Sequence, residues 1–223
     1  MKIVGGVSVI VLFTIVILMM NIDLTIPAPV EQIVDRTNIP NAVTAVYLEA
    51  RLFDTVFEII VYSLTAMGVA MLLGSLPLRA DEPQQVFQTV TVFSGGLAAI
   101  SITLFLYVVL NGHVSPGGGF SGGVILATGI VTYALTSDFR KATRHYDILR
   151  MRPLENASLI MIFSVSTLVI LFPEFHSNLL ARGSFGATIS GGLIPLLNLF
   201  IGIKVYAGAW KMASEFIHRR GTL

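Results

Sequence analysis

The chemistry open to this chain rests on a few ionisable side chains in apolar surroundings. The first group is Arg51, Asp54 and Glu58. Offsets of three and four put all three on one helix face if the helix extends back through Arg51. Glu58 then falls about one turn inside a long apolar run. Burial there disfavours its charged form, while Arg51 favours it. A carboxyl held between those two effects can load and release a proton near neutral pH. The plainer reading is an interfacial ion pair that anchors the helix end, and both readings stand at this level. Lys204 follows Ile194, Leu196, Leu197, Leu199, Phe200, Ile201 and Ile203. It falls near the middle of an apolar stretch, so its ammonium reaches an interface only in part. It needs a partner, a water-filled cavity or a depressed pKa. It is read as a movable positive charge on an ion path; the alternative is a structural pair with an acid on a neighbouring subunit. His113 can change charge around neutrality, its ordinary pKa being about 6.5, or it is simply a polar loop residue.

His113 borders the densest glycine cluster of the chain, Asn111-Gly112-His113-Val114-Ser115-Pro116-Gly117-Gly118-Gly119-Phe120-Ser121-Gly122-Gly123. Pro116 suits a first helical position, with Ser115 as N-cap. Each following glycine weakens that helix by roughly 1 kcal/mol relative to alanine. Such a cost is tolerated where two backbones must approach closely. Gly118 with Gly122, and Gly119 with Gly123, form small-xxx-small pairs on adjacent faces.

The elements that must position these groups are membrane helices. Hydrophobic residues make up 54% of the 223 residues and charged residues only 12%, against about a quarter in soluble domains. Mean hydropathy is +0.81. A span needs about 20 mostly apolar residues. Six stretches are read as spans: Ile3–Met20, Thr55–Leu76, Val86–Leu110, Pro116–Thr136, Leu154–Phe172 and Gly192–Met212. The first is read as a retained helix rather than a signal peptide. Between the first two, Asn41–Ala50 places Val43, Val46, Tyr47 and Ala50 at helical spacing, which fits a short amphipathic interfacial helix. Pro173–Gly191 is expected to be a loop. The fold class is therefore all-α and polytopic. With the amino terminus inside, ten bases lie on the cytoplasmic side, including Arg140, Lys141, Arg144, Arg150 and Arg152. Only Arg36, Arg51 and Arg182 lie outside, so both termini are expected to be cytoplasmic.

Other classes are excluded or left without support. The net charge of +1 gives no electrostatic basis for nucleic-acid binding. With no cysteine there is no thiolate metal site, iron–sulfur ligation or thiol nucleophile. The four histidines are scattered, with no metal-ligand spacing, no nucleophile–base set and no strand before the glycines, so neither a metal, a nucleotide nor another cofactor is expected. Phe93-Ser94-Gly95-Gly96-Leu97, Phe120-Ser121-Gly122-Gly123-Val124 and Ile189-Ser190-Gly191-Gly192-Leu193 share one pattern. Helix crossings that favour small residues explain it; an internal duplication is the alternative.

The run from Asn111 to Gly123 resembles the signature of the B subunit of multisubunit Na+/H+ antiporters, the MnhB/MrpB family. The resemblance extends from about Val86 to the carboxyl end and includes Gly191-Gly192-Leu193-Ile194-Pro195-Leu196-Leu197-Asn198. The segment from Asn41 to Glu58 resembles the end of the antiporter A subunit, which also exists as a small MbhE-like subunit of archaeal membrane-bound hydrogenases. There the run reads Asp-Phe-Arg-Gly-Phe-Asp-Thr, two residues, then Glu. Arg51, Phe53, Asp54, Thr55 and Glu58 match it; Glu49 and Ala50 stand for Asp-Phe, and Leu52 for Gly. The resemblance implies a fusion, with residues 1–80 the MbhE-like unit of two spans and 81–223 the MnhB-like domain of four. It implies a non-enzymatic subunit of a Na+/H+ antiporter module in a prokaryotic plasma membrane, with other antiporter subunits as partners. A hydrogenase-like or sulfur-reducing redox arm would be further subunits. Arg51, Asp54, Glu58, Lys204 and His113 would serve Na+ and H+ movement. The alternative is a scaffold that holds transporter subunits together.

Overall fold

The computed structural model describes residues 29–77, 88–137, 139–172 and 192–219, which are helical with no strand. Helix α1 is Val30–Thr37, α2 is Ala42–Ala45 and runs on into a π turn at Val46–Ala50, and α3 is Leu52–Gly74. Helix α4 is Gln88–Leu110, α5 Gly119–Thr136, α6 Phe139–Ile148, α7 Met151–Leu171 and α8 Ile194–His218. Among the described residues, three helices are long and apolar enough to cross a membrane: Leu52–Gly74, Thr89–Leu110 and Gly119–Thr136. Helices α7 and α8, of 21 and 25 residues, occupy the places of the fifth and sixth expected spans. The first expected span and the Pro173–Gly191 loop lie outside the described residues.

Helix α8 is the hub. It packs against α3, α4, α5 and α7, and Ile194, Leu197, Ile201, Val205, Ala207 and Trp210 are all buried. Asn198 and Lys204, its polar residues at depth, therefore face protein rather than lipid. The outer helices turn large aliphatics outward, among them Val61, Met71 and Leu72 on α3, Val92 and Ile100 on α4, and Ile160 on α7. In water such faces would be costly; in a bilayer they meet lipid. One core joins the amino-terminal helices to the rest. Ile39, Leu48, Leu52 and Ile59 pack with Ile162, Leu193, Ile194, Leu197, Ile201 and Val205.

Helix α1 was not legible between Pro29 and Pro40. It begins directly after Pro29 and stops where Asn38 turns left-handed at φ 59°, its N–H donating to the Val34 carbonyl. The helical reading of Asn41–Ala50 holds for Ala42–Ala50; Val46 and Tyr47 pack against the core as the spacing implied, but Val43 does not. Val43 is 70% exposed, whereas Thr44, Ala45 and Leu48 are buried.

Asn41 ties this segment to the α4–α5 loop. Its Oδ1 caps α2 by accepting from Val43 and Thr44 N–H at 3.2 and 3.3 Å. Its Nδ2 donates to the carbonyls of Gly112 and Ser115, both at 2.7 Å, and Thr44 Oγ1 also donates to Gly112 O at 2.6 Å. Asn41→Ala removes the cap and leaves the Ser115 carbonyl without this donor. We expect a loss of about 2 kcal/mol, read as a lower Tm in detergent and faster proteolysis of the loop.

The glycine loop corrects one expectation. Helix α5 starts at Gly119 with Gly118 as its N-cap, so Pro116 and Ser115 lie in the preceding loop rather than at the first helical position and the N-cap, and Gly118 is not one turn before Gly122 within a helix. Gly117 and Gly118 take φ of +153° and +144°, a region that side chains rarely enter, so no helix can run through them.

Candidate functional site

The amino-terminal ionisable set gathers at the start of α3. Arg51 N–H closes the π turn on Val46 O at 2.8 Å, and Arg51 sits at φ −124°, ψ 34°. The helix therefore does not run unbroken back through Arg51, the condition set for one shared face. The residue still reaches its neighbour: Arg51 Nε donates to Asp54 Oδ2 at 2.6 Å, and a terminal guanidinium nitrogen pairs with the same oxygen. With Arg51 and Asp54 side chains 68% and 50% exposed, this pair adds under about 1 kcal/mol of stability. Asp54 and Glu58 lie one turn apart; both are exposed, so Glu58 is not buried in this chain as its place in the apolar run implied, and both line an open cavity of about 370 Å³ with Tyr47, Arg51 and Thr55. Aliphatic side chains of α1 and α2 complete the wall. Thr55 Oγ1 donates to Tyr47 O at 2.6 Å, satisfying a carbonyl of the π turn. The Tyr47 phenol is held above its usual range, by burial first; hydrogen bonds to Thr44 and Asn198 lower it, and the Glu58 carboxylate raises it further. Tyr47 and Glu58 line the same cavity.

Lys204 is 3% exposed. Its ammonium pairs with Glu155 of α7, so its partner is an acid of its own chain and not of a neighbouring subunit. Glu155 was missed, although it falls at the second position of the fifth expected span. The signal was present: a lone acid in one apolar run and a lone base in another. Tyr62 adjoins this pair, its hydroxyl donating to Val205 O at 2.7 Å. The ring fits because position 208 is glycine; a Cβ there would lie 2.5 Å from Tyr62 Cε1. On the other flank stands Tyr146 of α6, whose phenol is raised by burial and then by the Glu155 carboxylate.

Helices α3 and α8 run side by side in the same direction. At one end Tyr47 OH, just before α3, donates to Asn198 near the start of α8 at 2.9 Å. At the other end the Arg219 guanidinium donates to Leu76 O. With a rise of about 1.5 Å per residue, Glu58 lies about 9 Å below the start of α3. Tyr62 lies about 15 Å down, level with Lys204 on α8. Asp54, Glu58 and Tyr62 are spaced i, i+4, i+8 and form one polar stripe on an apolar helix. The stripe begins in the cavity and ends beside the buried Lys204–Glu155 pair.

His113 and the glycine cluster belong to a different part of the site. His113 is fully buried in the α4–α5 loop, where its carbonyl accepts Asn41 N–H at 3.1 Å; it is not among the residues that line the cavity. Pro116 is exposed and Phe120 half-buried, the latter packed against the α3–α8 core. Asn198 Oδ1 accepts from Gly119 N–H at 3.0 Å as well as from Tyr47. Its place in the core was not apparent from spacing, although it ends a motif run already noted. Gly119 and Gly123 face α8, with Gly122 facing α4. The Tyr47 hydroxyl occupies the space over Gly118. The Ser-Gly-Gly of α4 has a different setting, because nothing lies within 4 Å of a Cβ placed on Gly95 or Gly96.

Comparison with known proteins adds three findings. Residues 89–211 match the model of a domain related to the MnhB subunit of Na+/H+ antiporters. An uncharacterized protein of Methanocaldococcus jannaschii, MJ1307, is 24% identical over 195 residues, covering 76% of this chain and 74% of that protein. The fold is shared with a chain in the structure of the membrane-bound sulfane sulfur reductase, an archaeal respiratory membrane complex. The TM-score is 0.68 at 21% identity, over 96% of this chain and 97% of that one. The matched segment contains His113, the glycine cluster, Glu155 and Lys204, and leaves Arg51, Asp54, Glu58 and Tyr62 before it. With more than half of its length matched and its helices built for lipid, the chain belongs to the family of domains related to the MnhB subunit, membrane subunits of Mrp-like Na+/H+ antiporter modules.

Proposed function

We propose that this subunit forms part of the ion path of its antiporter module, at an interface with partner subunits. The observation that supports this reading is the polar stripe of Asp54, Glu58 and Tyr62, which leads from an open cavity to the buried Lys204–Glu155 pair. Glu58 takes up and releases the proton. Asp54 and Arg51 set its affinity by charge, and Lys204, held by Glu155, is the positive charge whose displacement admits or repels a cation. His113 and the Pro116–Gly123 segment, with Gly117, Gly118, Gly119, Phe120, Gly122 and Gly123, hold the loop and the helix contacts that keep α8 in register. The module moves Na+ against H+, and its other membrane subunits complete the path where the cavity opens outward. A hydrogenase-like or sulfur-reducing arm drives it where the complex is respiratory. We place the chain in a prokaryotic plasma membrane with both termini cytoplasmic, and read residues 1–80 as the MbhE-like unit and 81–223 as the MnhB-like one.

Glu58→Gln in the assembled complex tests the reading. Sodium-dependent proton transport in membrane vesicles is expected to fall sharply while the complex keeps its mass on a native gel. Normal transport with normal assembly removes Glu58 from the path. A scaffold role is the second reading. Under that reading variants at the charged positions either change nothing or lose complex mass, and none separates transport from assembly.

A further inference from the structure

Helix α6 joins the end of α5 to the start of α7. Helix α5 is long and apolar enough to cross a membrane, and with α7 read as the next span the ten-residue α6 between them, about 15 Å long, falls at headgroup depth. Its inward face is Phe139, Ala142 and Tyr146. Phe139 stacks on Trp210 at 5.9 Å and meets His218 edge-on at 4.6 Å, and Tyr146 stacks on Trp210 at 5.9 Å. Its outward side is strongly basic. Arg140, Lys141 and Arg144 are exposed, as are Arg150 and Arg152 in and after the turn into α7. The one acid of residues 139–153 is Asp147. Between the two groups of bases stand Ile148 and Leu149, 64% and 63% exposed. Arg150 follows in the left-handed conformation at φ 49°, uncommon for a residue with a side chain.

We propose that the outer face of α6 and its turn is a docking surface for anionic phospholipid. The bases engage headgroup phosphates, and Ile148 and Leu149 enter the upper acyl layer. Charge complementarity and depth both select this occupant: an exposed cationic face held at the membrane surface meets the phosphate layer, and a flanking aliphatic pair has an apolar layer within reach. The inference needs the chain to be in a membrane and does not depend on the ion path.

The test is native mass spectrometry of the purified complex in non-ionic detergent, titrated with phosphatidylglycerol or with phosphatidylcholine. The wild type is expected to retain phosphatidylglycerol in preference. Raising salt from about 0.1 M to about 1 M, which shortens the screening length from about 10 Å to about 3 Å, is expected to weaken that preference. Each base at an anionic surface contributes about fivefold in affinity. The triple variant Arg144→Gln, Arg150→Gln, Arg152→Gln is therefore expected to lower the preference on the order of 100-fold. Equal retention of the two lipids by the wild type overturns the proposal, and that measurement needs no variant. So does a triple variant that keeps the lipid but sheds a subunit, which assigns the face to a protein partner.

Discussion

Replacing Lys204 by methionine is expected to destabilise the chain by roughly 3–5 kcal/mol and to abolish sodium-coupled proton transport. The side chains of Lys204 and Glu155 are 4% and 14% exposed. Removing the ammonium strands a carboxylate between Tyr62 and Tyr146 with its charge uncompensated. Breaking a buried pair costs far more than the pair contributes when intact, because the remaining charge stays desolvated. Arg51→Ala is the contrast: that pair is largely in solvent, and its loss is expected to cost less than about 1 kcal/mol. Adding Glu155→Leu to Lys204→Met tests the physical account. The double variant is expected to recover most of the lost Tm, since two apolar groups of similar volume can replace a buried ion pair with little cost. Its transport should remain absent. A double variant as unstable as the single one would mean that the single loss came from packing and not from charge; a stable double variant that still transports would remove Lys204 from the path.

The parts of this molecule that were legible in its sequence are those fixed by one-dimensional patterns. Apolar runs gave the helices, and their edges moved little: Thr55–Leu76 becomes Leu52–Gly74, and Pro116–Thr136 becomes Gly119–Thr136. That second shift has a cause in two glycines at positive φ, which composition alone does not separate from helical glycine. Arg51, Asp54 and Glu58 were brought together by spacing on one helix, and they do share one cavity. The illegible parts depend on how helices cross. Glu155 and Lys204 are 49 residues apart, and only the packing of α7 on α8 makes them partners. Asn198 bonds Gly119 and Tyr47 across separations of 79 and 151 residues, and no periodicity reports such a contact. The π turn at Val46–Ala50 has no residue-type signature either. The same pattern of Ser-Gly-Gly also carries different meanings in α4 and α5, because the neighbour and not the motif decides what a glycine is for.

That difference yields the second large expected effect. The double variant Gly119→Ala, Gly123→Ala should destabilise the chain by about 2–6 kcal/mol, taking overpacking at about 1–3 kcal/mol per site. A Cβ on Gly119 would lie 2.5 Å from the Asn198 carbonyl oxygen and 2.6 Å from Ile201 Cβ; one on Gly123 would lie 2.7 Å from the Gly202 carbonyl oxygen. Two of these neighbours are backbone atoms of α8, so no rotamer change relieves the contact and the helices must separate. Separation also strains the hydrogen bond from Gly119 N–H to Asn198, and with it the link to Tyr47 at the head of the polar stripe. The matching double variant Gly95→Ala, Gly96→Ala meets open space within the chain and should hold or raise helix stability, since alanine is the better helix former by about 1 kcal/mol per site. Thermal unfolding of the purified chain in detergent reads both changes. A loss at Gly119 and Gly123 with none at Gly95 and Gly96 would establish that α5 meets α8 through its glycines; equal losses at both pairs would instead mean that the α5–α8 contact is not what holds the bundle.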